Sequence, residues 1–454
     1  MALLQSITFK VLGIGALALL MLLPLAQVDG LIRERAGLRE EARRRIGEAW
    51  GGDQVVGGPV LAVPRTLRER QPASWVAGPN GSSVKVEPGW ADVQRSEFRL
   101  ADTLAAQARL QVERRRYGIY EFPVYTARVT LRARFAAADL APLRDAAAGY
   151  DVSRAQWRLP VADLRGLREV AGVRVNGELR RLEPADAVAG LAAVAIPLQA
   201  RDLDDALLIE AEFELAGTER LQFLPLARST TVDVAAPWGD PSFIGAGLPV
   251  QRRVAAQDFA AHWQALDLNR GFPQTVLDSD LDAGRLGAAA FGVALYQPVD
   301  VYRSNERAGK YGLLFIALSF VAFFLFEVLK RLRVHPLQYL LVGLALATFY
   351  LVLLALSEQL GFGLAYALAA AAVVLMVGGY AAAVLATRRA GVLLGATMAA
   401  VYGLLYALVV SEQYSLLVGA LVLLGVVGLL MYLTRRVDWY ADFGSAARRP
   451  ASAG

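Results

Sequence analysis

The sequence predicts two kinds of structure in one chain: a membrane α-helical bundle of six spans, and a large mainly β domain outside the membrane, read as an antiparallel β-sandwich. Three observations carry this. The 454 residues are 56% hydrophobic with a mean hydropathy of +0.39, yet 20% are charged, so the two classes are segregated along the chain. From Tyr311 onward only 14 residues are Asp, Glu, Lys or Arg, in short clusters between long apolar runs. Between residues 29 and 310, by contrast, apolar and polar residues alternate with period two over several stretches. Composition excludes disordered and collagen-like classes, and the absence of cysteine removes disulfide scaffolds, thiol nucleophiles and Cys-ligated metals.

A bilayer core about 30 Å thick needs roughly 20 helical residues. Six stretches reach that length: 7–28, 311–329, 337–356, 361–386, 391–410 and 415–433. Lys10 gives the first a positive flank like that of a cleavable signal, but the run is long and no small-x-small site precedes a polar start. It reads as a retained anchor. Residues 29–50 set Leu31, Leu38, Ala42, Ile46 and Ala49 near helical spacing among dense Arg and Glu, which predicts a helix continuing from that span.

Orientation follows from the basic residues. Lys330, Arg331, Arg333, Arg388, Arg389, Arg435 and Arg436, with Arg448 and Arg449, fill alternate loops and the tail. The intervening Ser357-Glu358-Gln359 and Ser411-Glu412-Gln413 hold no basic residue. The positive-inside rule then places these basic loops and both termini in the cytoplasm and residues 29–310 outside. The plan is an anchor (1–28), a helical extension (29–50), a β domain of one or two subdomains (51–310), a five-helix membrane domain (311–434) and a tail (435–454). Of the formal charge of +5, the external segment contributes nothing, having 37 basic and 37 acidic residues. The basic pI is therefore an orientation signal and gives no support to a nucleic-acid partner.

Within the external segment, Val129, Leu131, Ala133 and Phe135 alternate with Arg128, Thr130, Arg132 and Arg134. Ile209, Ala211, Phe213 and Leu215 alternate with Glu210, Glu212 and Glu214. Both read as strands with one wet face. Asn176-Gly177 after Val173-Arg174-Val175 signals a hairpin, and Gly51 to Pro59 a turn leading into the strand Val60 to Val63. The Ala-rich stretches 136–149 and 255–266 predict short helices, the second carrying His262.

The search for chemistry is largely negative. With only His262 and His335, no His-rich metal site or HExxH helix can be built. A Ser229, Asp240 and His262 triad can be drawn, but no Gly-x-Ser-x-Gly elbow supports it. The one ionisable residue inside a C-terminal span is Glu327, and Arg331 four residues on predicts an interfacial ion pair. The two Ser-Glu-Gln loops suggest a weak repeat of helical hairpins, and Gly378-Gly379-Tyr380 a site of close helix packing. Tyr350, Tyr366, Tyr380, Tyr402 and Tyr406 read as packing and interface residues. No catalytic, cofactor-binding or metal residue is expected.

The run from Pro298-Val299-Asp300-Val301-Tyr302 through Glu306-Arg307-Ala308-Gly309-Lys310-Tyr311-Gly312 to Val334-His335-Pro336-Leu337-Gln338-Tyr339 strongly resembles the CreD inner-membrane proteins of Gram-negative bacteria. So do Gly57-Gly58-Pro59, Gly118-Ile119-Tyr120-Glu121-Phe122-Pro123-Val124-Tyr125, Pro241-Ser242-Phe243 and Thr434-Arg435-Arg436-Val437-Asp438-Trp439-Tyr440, so the resemblance covers nearly the whole chain. It implies a multi-pass inner-membrane protein of the cell-envelope stress response, with residues 29–310 periplasmic. The family has no established enzymatic activity, ligand or cofactor. Asp240 and Gln359 stand where family members often carry His, which argues against any role needing imidazole there. The expected partners are membrane lipids and an unidentified envelope or periplasmic protein. The competing reading is a transporter or lipid-handling protein with the β domain as accessory.

Overall fold

The computed structural model describes residues 7–435 apart from 72–73, 78–82, 87, 296–300, 331–333, 385–387 and 412–414. It contains both expected parts, long apolar helices and a large mainly β region. The chain divides into two compact units, one of Met1–Leu38 with Val299–Gly454, the other of Arg39–Pro298. In chain order the helices are α1 (Ile7–Leu20), α2 (Leu22–Trp50), the short α3 (Ala137–Leu140) and α4 (Ala283–Ala289), α5 (Val301–Lys310), α6 (Gly312–Lys330), α7 (Pro336–Leu360), α8 (Phe362–Val384), α9 (Arg388–Val410) and α10 (Ser415–Thr434).

The β unit is organised by one 29-residue strand, Gly89–Tyr117. Its later half lies in an eight-strand array. The order is Glu178–Arg180, Leu167–Val175, Leu207–Thr218, Tyr120–Phe135, the long strand, Ala227–Ala236, Phe259–Leu266 and Gln251–Val254. Only Ala227–Ala236 against the long strand is parallel. The earlier half pairs with Val60–Gln71 and Thr275–Leu277 in a second sheet that continues through Gln156–Val161 and Leu191–Pro197. The two halves contribute to one core, including Leu61, Trp157, Leu131 and Phe213.

The alternation explains the packing. Val129, Leu131, Ala133 and Phe135 are buried, in register with buried Phe213, Ala211, Ile209 and Leu207. Full burial of each large side chain contributes roughly 1.5–3 kcal/mol. On the wet face Arg128 and Arg132 reach Glu214 and Glu210 at 3.2 and 3.1 Å. The Asn176-Gly177 hairpin is present, with φ of 49° and 85° at its two central residues. Residues 137–148 form α3 and short 3-10 turns, as expected.

One local expectation fails. The stretch around His262 is a strand, Phe259–Leu266, rather than a helix. Its alanines favour a helix locally, but Phe259, Ala261 and Trp263 are buried at period two while Ala260, His262 and Gln264 face outward. Core burial of the two aromatic side chains overrides alanine propensity.

Among the described residues, five helices are long and apolar enough to cross a bilayer, or six if α5 and α6, bent by 48°, count as one span. α2 does continue from the first span, as expected. Of the stripe read along it, Ala42 is buried whereas Leu31 and Leu38 are exposed, and Ile32 is buried instead. α5 has no counterpart in the sequence reading. Its Tyr302, Asn305 and Ala308 are buried at a spacing of three while Glu306, Arg307 and Lys310 keep it polar, so hydropathy hides it.

Candidate functional site

Glu327 lies on α6, three residues before its end, and is 5% exposed. A carboxylate buried there needs protein donors, because neither lipid nor packed side chains solvate it. It has three. Lys10 of α1 forms an ion pair with it. The Tyr339 hydroxyl of α7 donates at 2.9 Å, and the Val334 backbone N–H donates at 2.8 Å. Lys10 also donates to the Val334 carbonyl at 3.0 Å. One acidic group thus ties α1, α6 and the start of α7 together, and puts Lys10 of α1 beside Val334.

The sequence reading paired Glu327 with Arg331, which lies outside the described residues together with Arg333 and Arg436. Lys10 is 317 residues away from Glu327 in sequence. The signal that points to it is complementarity: Lys10 is the sole ionisable residue of the first apolar run and Glu327 that of the next. The other described basic residues expected to set the topology lie at helix ends. Lys330 ends α6, Arg388 and Arg389 open α9, and Arg435 follows α10 with its guanidinium 4.1 Å from the Tyr432 ring centre.

α5 makes a second polar contact with α7. Tyr302 donates to Glu358 at 3.0 Å, and Asn305 Nδ2 donates to Ser357 Oγ at 2.8 Å. Asn305 and Ser357 are each 2% exposed. Ser357 and Glu358, read from sequence as a loop, occupy the last turn of α7, while Glu412 of the second Ser-Glu-Gln copy lies outside the described residues. Gly378 behaves as expected. A Cβ there would meet the Gly391 carbonyl and Gly395 Cα at 3.5 Å, which marks close packing of α8 on α9.

In the β unit, His262 Nδ1 lies 2.8 Å from Asp233 Oδ1. The register puts them in one cross-strand row, Gln107, Asp233, His262 and Gln251. The next row is Arg109, Ala235, Ala260 and Arg253, whose alanines leave a shallow groove of about 470 Å³. The partner of His262 is therefore Asp233 rather than Asp240, and no serine lines the groove. Elsewhere, Asp53 and Glu219 each lie 3.7 Å from Arg43. Burial pushes both carboxyls above their usual range, with the Arg43 charge opposing. Among the described residues no three His, Asp or Glu side chains are grouped to hold a metal ion.

A family model described as Inner membrane protein CreD matches residues 6–440. Inner membrane protein CreD of Escherichia coli (strain K12) is 33% identical over 437 residues, which cover 95% of this chain and 94% of that protein. The chain belongs to the CreD family. The match extends over both units, so the β unit is part of the CreD family's common extent and not an addition to a bare helical core. As a CreD-family chain it is a multi-pass inner-membrane protein.

Proposed function

We propose that this chain is a non-enzymatic component of the cell-envelope stress response, anchored in the inner membrane with both termini cytoplasmic, which maintains envelope integrity through a periplasmic β unit that engages another envelope protein. One observation supports that mode of action above the others: the eight-strand array ends in an open edge. Among the described residues Gln251–Val254 pairs with Phe259–Leu266 on one side alone, and all four of its residues are exposed. The Val250 N–H donates inward to the His262 carbonyl. The Val250 bond is one residue out of the strand's register, in which the Ala255 N–H donates to the Asp258 carbonyl; by the alternation of an antiparallel ladder from Ala255, the Arg252 and Val254 N–H groups point away from the sheet. Leu248 and Val250 just before the strand and Val254 at its end are 73%, 63% and 49% exposed. An edge with free donors beside exposed apolar side chains is a template for an added strand from a partner.

The test is site-specific photocrosslinking in native membranes with the probe at Val254, and at the exposed Leu208 of Leu207–Thr218 as control. A discrete protein adduct from 254 alone is the expected result; equal adducts from both positions, or none, would sink the reading. The second reading, a lipid-handling or transport protein, is favoured by a lipid-wide groove between α8 and α9.

A further inference from the structure

α8 and α9 touch closely at one end and part toward the other. At the close end Gly391 has no room for a side chain, since a Cβ would lie 2.4 Å from the Ala382 Cβ and 2.8 Å from the Gly378 carbonyl. Toward the Gly361 turn that precedes α8, the helices instead enclose a groove of about 700 Å³. Tyr366, Tyr402 and Tyr406 line one half of it, and Ala370, Val374 and Leu375 the other. Its rim faces away from the bundle: Leu364, Leu368 and Leu375 are 55%, 46% and 75% exposed. In a membrane helix such side chains meet hydrocarbon.

Three features select the occupant. Length is the first. The groove runs from Gly363 to Leu375 along α8, roughly 18 Å at about 1.5 Å per residue, against about 15 Å for one leaflet of a 30 Å core. Width is the second. The Tyr366 hydroxyl donates to the Tyr402 carbonyl at 2.7 Å, so the two helices remain in contact beneath the groove. A helix about 10–12 Å across does not fit between partners so joined, whereas a single hydrocarbon chain does. Polarity is the third. The Tyr406 hydroxyl lies at the Gly363 end, 3.6 Å from where a Cβ on Gly363 would sit, and makes no hydrogen bond among the described residues. That end is one turn from the end of the span, the level at which tyrosine meets lipid carbonyls.

We propose that this groove binds one acyl chain of a glycerophospholipid from the leaflet on the Gly361 side. The chain lies along Ala370, Val374 and Leu375, and its ester oxygen accepts from the Tyr406 hydroxyl. The site does not depend on the β-unit edge and can stand or fall without it.

The experiment reconstitutes the full chain with a phosphatidylethanolamine carrying a diazirine on its acyl chain, irradiates it, and maps adducts by mass spectrometry. Adducts concentrated on peptides of α8 and α9 are expected. Gly403→Leu fills the groove, and a Cβ at 403 meets nothing within 4 Å, so the fold tolerates it. It should lower α8 and α9 labelling by about tenfold. Gly425→Leu on α10, where a Cβ is equally unobstructed, should leave labelling unchanged. Tyr406→Phe should reduce it about threefold by removing the donor alone. Labelling spread evenly over all helices, labelling undiminished in Gly403→Leu, or crosslinked dimers through α8 and α9 in place of lipid adducts would each overturn the assignment.

Discussion

Both units bury charge, but they satisfy it in different ways. In the β unit Glu97, 3% exposed, accepts from Arg65 and Arg99 at 2.9 Å each and from the Tyr150 hydroxyl at 2.9 and 3.1 Å. Arg270, 8% exposed, donates to the carbonyls of Phe272, Pro225 and Ala227, and burial brings it down to about 10. These networks sit on sheet registers that the core holds in place without them. In the helical unit one acid and one base, Glu327 and Lys10, join segments from opposite ends of the chain. The difference lies in the surroundings. A broken network in the β sheet can be reached through partly exposed members such as Arg65, 29% exposed, but lipid offers no replacement partner.

The largest expected effect follows directly. Lys10→Met leaves Glu327 without its countercharge and should destabilise the helical unit by about 3–5 kcal/mol. Glu327→Gln combined with it should recover much of that loss, because the glutamine oxygen can still accept from the Val334 N–H while its amide group donates to the Tyr339 hydroxyl. A double-mutant cycle on thermal unfolding of the full chain in detergent measures the coupling. The β-unit counterpart, Glu97→Gln, should cost less, about 1.5–3 kcal/mol. Equal costs would break the contrast between the units.

The smallest effect concerns pH. Burial raises the carboxyls of Asp53 and Glu219 above their unfolded values of 3.8 and 4.5. The folded chain therefore binds more protons than the unfolded one between those values and the raised folded ones, so their contribution to stability falls as pH rises through that window. Asp53→Asn should flatten this slope in the unfolding midpoint of the full chain. A slope that is unchanged, or reversed in sign, would place the pH dependence elsewhere.

The sequence made the sheet readable where one face is buried. At Val129 to Phe135 each apolar residue alternates with Arg or Thr, so period two appears without ambiguity. It was misleading at Phe259 to Leu266, where three alanines dilute the same alternation and local propensity favours a helix. Hydropathy located the long apolar helices but missed α5, whose buried face is made by Tyr302, Asn305 and Ala308 amid charged neighbours. The candidate sites were least legible. Glu327 stood out as an ionisable residue in an apolar run, yet its partner comes from a segment 317 residues away, which no local spacing reveals. The open edge is carried by Gln251-Arg252-Arg253-Val254, four residues that signal neither a strand nor a site until their pairing is seen.

That edge also carries the functional proposal, and a single pair of variants tests it. Arg252→Pro removes an outward N–H that a partner strand would use, while Arg252→Ala keeps the N–H and removes only the side chain with its packing over the Phe243 ring. Both should insert and fold as the parent does, since proline is tolerated on an edge where its missing donor faces solvent. The measurement is rescue of detergent resistance in cells lacking their own copy of the gene. The account expects Arg252→Ala to rescue and Arg252→Pro, present at equal level in the membrane, to fail. Full rescue by Arg252→Pro would contradict it.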